Sequence, residues 1–281
     1  MAPAGLARLA ERVRPAGIAA GMLAVIFAPV WFVVTAQVAG ASGTLVGAEP
    51  AAAVVMVLLA AVFALLHRYS GDEDIIIGTP VANREGMELE GQIGLYANTL
   101  ALRVDIGGET TLGELLGRVR TAVLEAQEHQ SYPFDSLIQE LKFKRSTDRN
   151  PLFDVMVVIE DAVRAEIHAP GIDGFEYSVP VSVSVFDLTF HFGRSDDGVR
   201  LDLEYNIGLW GRARAERLAS HLDRLIEALV ARPDAKLADV DILSEEERRR
   251  ILGEFSAGPV LPAPDRTVID LFAEQARRNP G

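Results

Sequence analysis

LLHRYSGDEDIIIGTPVANR, residues 65–84, changes pattern abruptly, and the fold turns on that change. Its first residues close the apolar run AAAVVMVLLAAVFALL, residues 51–66, whose length falls between those of a buried helix and a membrane span. Asp74–Val81, DIIIGTPV, is a short β-branched run closed by Gly78 and Pro80, which predicts a buried strand running into the loop VANREG. A second strand is expected from Asn98 to Ile106. Thr111 and Glu114 then form a Thr-x-x-Glu capping box ahead of Leu112, Leu115, Leu116, Val119 and Val123, which share one helical face to about His129. In SYPFD, Pro133 and Asp135 suit a loop and the start of a shorter helix.

Further on, Val179, Val181, Val183 and Val185 alternate with polar residues, as do Leu201, Leu203, Tyr205 and Ile207, so both stretches read as half-exposed antiparallel strands. Between them Phe186, Leu188, Phe190 and Phe192 take one face and Asp187, Thr189 and His191 the other. Leu218, Leu222, Leu225, Ile226 and Leu229 mark an amphipathic helix from about Arg212 to Ala231. Residues 233–243 read as a polar connection, Ser244 and Glu247 as another capping box, and residues 258–266, GPVLPAPDR, as an extended linker. Thr267 caps a last helix, VIDLFAEQARR.

Composition narrows the function classes. A chain of 281 residues is long enough to bury roughly 75% of its unfolded surface. The net charge of -13, with basic residues dispersed among acids, argues against nucleic acid as a partner. Cysteine is absent, which excludes disulfides, thiolate catalysis and Cys-ligated metal and fits a reducing compartment, while localisation, expected to be cytoplasmic, rests on other evidence.

The first fifty residues allow several readings. The run GIAAGMLAVIFAPVWFVVTAQVA carries no charge and is long enough to cross a bilayer, at about 20 residues per span. Arg8, Arg12 and Arg14 before it and Arg68 after the second run fit the positive-inside rule, so an inner-membrane hairpin over residues 16–66 is one alternative. A secretory signal fits less well, because the apolar stretch is too long and no A-x-A site closes it. Another alternative is that residues 1–45 come from a wrong start site or shifted frame, given their excess of Ala, Gly, Arg, Pro and Val.

Motifs for chemistry are sparse. The sequence has no Gly-x-Ser-x-Gly elbow, Walker loop, His-Glu-x-x-His or Gly-x-Gly-x-x-Gly. Asp187 and His191 resemble a catalytic pair, but i and i+4 on one strand lie about 13 Å apart at about 3.3 Å per residue, too far for a hydrogen bond. His129 suits a helix C-terminus. His67, His168 and His221 have no acid, nucleophile or metal-ligand spacing around them. Arg84, Arg103 and Arg149 are expected to tie loops down by hydrogen bonds.

Four stretches together resemble the condensation domain of nonribosomal peptide synthetases. Residues 65–84 resemble its helix, strand and loop at the tunnel floor. IGLYANTLALR, residues 93–103, resembles IGxFVNTxxxR, with Tyr96 and Ala97 departing mildly. HQSYPFDSLI, residues 129–138, matches HQxYPFxxL, and RSTDRNPLFDV, residues 145–155, resembles RDxSRNPLFxV with Ser146 and Asp148 at variance. The resemblance covers about residues 51–243. Behind it, residues 244–266 resemble a linker and residues 267–281 the start of an adenylation domain, with residues 1–50 an apolar segment in front.

The resemblance implies an α+β fold, the C-terminal half of a chloramphenicol-acetyltransferase-like two-subdomain sandwich, with a mostly antiparallel sheet and packed helices. It implies amide formation between a carrier-bound acyl donor and a carrier-bound aminoacyl acceptor, each on the phosphopantetheine of a partner carrier protein, with no cofactor or metal bound directly. The family's catalytic His-His-x-x-x-Asp-Gly motif has no counterpart, since no two histidines here are adjacent, so no catalytic residue carries over. What carries over is tunnel and cleft lining: Gly78, Thr79, Asn83 and Arg84 near the floor, and Asn98 and Thr99 near the cleft. The expected partners are carrier and adenylation domains, and a chain supplying the N-terminal half. The chain is expected to be inactive alone. The alternatives are a docking or scaffold module completed by a partner, and a membrane-anchored accessory protein.

Overall fold

Ser70 ends a helix in the computed structural model, which describes residues 20–27, 50–84, 87–142, 149–160, 168–169, 172–173, 183–195, 198–256, 258 and 267–279. Helix α1, Pro50–Ser70, is rich in Ala and Leu, which lose little entropy on becoming helical. It is apolar on all sides because it is enclosed on all sides: every residue from 56 to 66 is buried. Its end is specified locally. Gly71 takes φ 73°, a left-handed conformation that favours glycine, and its N–H donates to the His67 carbonyl at 2.8 Å. The His67 ring then donates from Nδ1 to the Asp72 carbonyl at 2.7 Å, and the Asp72 N–H donates to Ser70 Oγ at 3.0 Å.

The strands are β1 Ala20–Phe27, β2 Asp74–Val81, β3 Asn98–Asp105, β4 Val155–Glu160, β5 His168–Ala169, β6 Ile172–Asp173, β7 Leu188–Ser195 and β8 Gly198–Asn206. Six of them form one sheet in the order β1-β8-β7-β4-β2-β3. β4 pairs in parallel with β2 and with β7, and the remaining neighbours are antiparallel. The sheet is therefore mostly antiparallel around a parallel centre, and the three central strands point their carboxyl ends the same way. Helices α3, Leu112–Glu128, and α5, Arg212–Ala231, join α1 and one sheet face in a single core. Two shorter helices are α2, Met87–Glu90, and α4, Phe134–Glu140.

Several expectations hold at residue level. The Thr111 side chain accepts from the Glu114 N–H at 3.2 Å while Glu114 accepts from the Thr111 N–H at 2.8 Å, and the helix they start ends with His129 as its C-cap. Those bonds hold the Glu114 carboxyl below its usual range. Leu188, Phe190 and Phe192 are buried on the core face of β7, as their alternation predicts.

Others are corrected. Over residues 16–66, where a membrane hairpin is one of the alternatives, Ala20 to Phe27 form a strand paired antiparallel with β8, from Ala20 opposite Asn206 to Phe27 opposite Val199, and α1 follows. α1 is long and apolar enough to span a membrane, and 72% of that window is buried inside the protein. β8 is not half-exposed, since Asp202 and Asn206 are each 7% exposed. Of the strand expected over residues 179–185, residues 179–182 lie outside the described residues, while Val183 and Val185 are exposed and not in a strand. Residues 233–242 are packed rather than a free connection. Leu237, Val240 and Ile242 are buried, and Arg68 Nη1 donates to the carbonyls of Leu237 and Val240, both at 2.8 Å.

The chain divides into two units, Met1–Ile242 and Leu243–Gly281. In the second unit, Ser244 and Glu247 form the expected capping box of α6, Glu245–Arg249, which runs into a π-helical turn, Arg250–Phe255. Thr267 caps α7, Val268–Arg278, on which Val268, Ile269, Leu271 and Phe272 are exposed. Most of the linker expected over residues 258–266 lies outside the described residues.

Candidate functional site

Strand β2 alternates between two environments. Ile75 and Ile77 enter the helix-backed core, and Gly78 opens onto the other face. There the ring of Phe153 lies where a side chain at position 78 would start: a Cβ would sit 2.2 Å from Cε2 and 2.3 Å from Cζ. Phe153 also meets Phe134, at 5.6 Å between ring centroids, and stacks with Phe186 at 5.7 Å. Phe134 belongs to HQSYPF, Phe153 to RNPLFDV and Gly78 to IIIGTPV, so three stretches distant in sequence close one aromatic cluster over the sheet.

Asn98 brings in the fourth. Its side-chain Nδ2 donates to the carbonyls of Gln130 at 2.8 Å and Tyr132 at 2.7 Å, and its Oδ1 accepts from the Phe134 N–H at 3.1 Å. One carboxamide thus fixes the whole HQSYPF turn. Asn98→Ala is expected to lower stability by about 2–3 kcal/mol, because three polar groups lose their partner at once. Asn98→Asp is expected to do worse, since it sets a carboxylate against two carbonyl oxygens. Urea melts check both, and exchange of the Phe134 amide reports the turn itself.

The loop after β2 is tied by its own arginine. Asn83 turns the chain at φ 50°, a conformation Asn tolerates better than most residues. Arg84 then donates to the carbonyls of Leu89 at 2.5 Å, Gln92 at 2.8 Å and Gly94 at 3.0 Å, and its guanidinium lies 4.5 Å from the Tyr96 ring centre. Held this way, the loop carries Ile93 and Leu95 fully exposed. Arg103 pairs with Asp74 through two hydrogen bonds of 2.8 and 2.7 Å across β2 and β3, and the first effect of those bonds is to hold the Asp74 carboxyl below its usual range. Arg149 pairs with Asp154 at 2.7 Å at the start of β4. All three arginines do tie down backbone or strand ends.

The six expected lining residues do not share one surface. Gly78 is covered by Phe153, and Thr79 turns to the helix side, where it lines a cavity of about 260 Å³. Asn83, Arg84 and Asn98 shape loops, while Thr99 is half-buried at the sheet edge opposite Pro80. Of the pair read from spacing, Asp187 precedes β7 and its N–H donates to the Asp154 carbonyl at 2.9 Å. The carboxylate in register with His191 is Asp202 on β8, itself 2.8 Å from Arg200 Nε. That neighbour is missed in sequence because it lies across strands. Among the described residues no group of three His, Asp or Glu is arranged to hold a metal ion.

A helix-backed α+β sheet with this motif-built rim has the chloramphenicol-acetyltransferase-like architecture. The chain overlays the crystal structure of the X-domain from teicoplanin biosynthesis with a TM-score of 0.70 and 27% identity, covering 83% of this chain and 52% of that one. It overlays the first condensation domain of the CDA synthetase with a TM-score of 0.64 and 23% identity, over 84% and 50% of the two chains. Surfactin synthase subunit 1 of Bacillus subtilis (strain 168) is 37% identical over 228 residues, 80% of this chain and 6% of that protein. The Condensation domain family model matches residues 42–252, and the chain belongs to that family. It spans about half of these two solved chains and a small fraction of this curated relative.

Proposed function

We propose that the chain supplies the C-terminal half of a condensation domain of a nonribosomal peptide synthetase, working on carrier-bound substrates in the cytoplasm. The observation that carries this reading is the convergence of the four motif stretches on one rim, around Gly78, Asn98, Phe134 and Phe153. The reaction would join a carrier-bound acyl donor to a carrier-bound aminoacyl acceptor: the acceptor amine attacks the donor thioester carbonyl, the C–N bond forms, and the donor thiol leaves with a proton. The phosphopantetheine arms belong to the partner carriers. Gly78 offers an arm no space, because the Phe153 ring fills it, so its part here is to seat that ring. Asn98 and Arg84 act as positioning residues that hold the rim loops in shape.

This chain carries no adjacent histidines, so the base for the amine has to come from a His-His-x-x-x-Asp-Gly motif on the remaining half. The exposed Ile93 and Leu95, on a loop fixed by Arg84, favour a docking role toward that half. α7, with its exposed apolar residues, fits the first helix of an adenylation domain. α1 serves as a core helix rather than an anchor.

The test is a condensation assay with two loaded carrier proteins. The chain alone is expected to give no amide above background, and adding an N-terminal half that bears the histidine motif is expected to give product. Turnover by the chain alone would overturn the missing-base part of this reading. Two folded halves that fail to associate would overturn the rest.

A further inference from the structure

The β3 edge of the sheet is open. β3 stands last in the order β1-β8-β7-β4-β2-β3, so one of its sides meets β2 and the other meets no strand among the described residues. In an antiparallel pair the N–H and C=O groups of successive residues point alternately toward the partner and away from it. The Ile106 N–H donates to the Glu73 carbonyl at 2.6 Å, which sets Leu100, Leu102 and Val104 toward β2 and turns Thr99, Ala101, Arg103 and Asp105 outward. Arg118 fits this phase, since its Nη1 donates to the outward Asp105 carbonyl at 2.7 Å and so closes one end of the row. At the other end Asn98 holds the HQSYPF turn. Between these ends the backbone groups of Thr99, Ala101 and Arg103 have no hydrogen-bond partner among the described residues.

Such an edge is a template for a further strand, and natural sheets blunt theirs with proline, bulges or charge. β3 contains no proline or glycine, and its register with β2 runs unbroken from Asn98 to Asp105. The outward charge within the open row, Arg103, is neutralised by Asp74. Beside the edge lies an open groove of about 860 Å³, where α3 contributes the small residues Gly117, Thr121 and Ala122. α3 packs on β3 and reaches over its edge through Arg118, which suits a single added strand better than a second copy bringing its own α3. With Arg103 held by Asp74, the groove acids Asp105, Glu114 and Glu125 face only Arg118 and Arg120, and Glu125 has no partner among the described residues. That excess acid, on a chain of net charge -13, favours a basic occupant.

We infer that the β3 edge takes up an extended segment of another protein as a seventh, antiparallel strand, with a lysine or arginine of that segment facing Glu125. The open row sets its length: five residues, about 17 Å of strand, pair with residues 99–103. The backbone of Thr99, Ala101 and Arg103 supplies the binding groups, as in other cases of strand addition. Side chains of the added strand alternate, so those opposite Leu100 and Leu102 lie on the α3 side, where Gly117 and Ala122 ask for a small residue and Glu125 for a cation. This partner is no substrate of the condensation reaction, and neither reading depends on the other.

The probe is the blocked peptide acetyl-Thr-Ala-Val-Lys-Thr-amide, titrated into the full chain and followed by NMR. In the free chain the Thr99, Ala101 and Arg103 amides are expected to exchange faster than those of Leu100, Leu102 and Val104, and saturating peptide is expected to slow them. Methylating the backbone nitrogen of the peptide's valine removes a bond to the edge and is expected to weaken binding about ten-fold. Replacing its lysine by glutamate is expected to weaken binding further. Ala101→Pro removes an outward N–H while leaving the bonds to β2, a place where edge strands tolerate proline, and is expected to lower affinity about ten-fold. Unprotected edge amides at saturation, equal binding of the methylated peptide, or equal binding of the glutamate peptide would each overturn the inference. So would protection of the same amides by self-association, seen as a doubled mass in sedimentation. Should the proline variant fail to fold, the methylated peptide on the unaltered chain decides.

Discussion

Phe153→Ala is expected to lower the unfolding free energy by about 3–5 kcal/mol, the range for truncating a buried aromatic. The ring is 6% exposed and packs with Phe134 and Phe186 while covering the bare backbone of Gly78. Its removal leaves a hole that neither neighbouring ring can close without releasing a loop. Phe134 is tied to Asn98 through its own N–H, and Phe186 is bound by its carbonyl to the Ser184 hydroxyl at 2.5 Å. Urea unfolding measures the loss. Faster amide exchange at Phe134, with α3 unchanged, would separate loosening of the rim from general destabilisation; a loss under about 1 kcal/mol would contradict the role given to this ring.

Gly78→Val is expected to cost about 3 kcal/mol, the upper part of the overpacking range. The new Cβ would stand 2.2 Å from the Phe153 ring, and that ring cannot swing aside because Phe134 and Phe186 flank it. The two substitutions should therefore couple. With Ala at position 153 the valine has room, so the double variant is expected to be more stable than the sum of the single effects by about 1–3 kcal/mol. Additive losses would show that Gly78 matters for its backbone and not for the space it leaves.

Local signals were legible wherever the physics was local. The capping residues Thr111, Ser244 and Thr267, the end of α1 near Ser70, and the strand ending at Val81 all depend on neighbours a few residues away. The family motifs were legible as strings, but their meeting point was not. Asn98 reaches Tyr132 across 34 residues, and nothing in either stretch announces the other. β4 was overlooked because a strand between two parallel neighbours shows an apolar run, VMVVIE, without alternation. The N-terminal run stayed open between a span and other readings because a strand and a span can share an uncharged composition, and the pairing of residues 20–27 with β8 is not visible in the sequence. Residues 233–242 looked polar because the sequence cannot display Arg68 collecting their carbonyls.

The place of β1 also has a consequence for synthesis. Its partner β8 is the last strand of the sheet to leave the ribosome, so AGMLAVIF emerges first and waits, uncharged and unpaired, while the rest of the sheet is made. Pairings between distant parts of a chain form slowly, and an apolar strand left waiting is open to wrong partners, including copies of itself. Production of this protein should therefore be limited by how well that first strand is shielded during translation, rather than by the stability of the finished sheet.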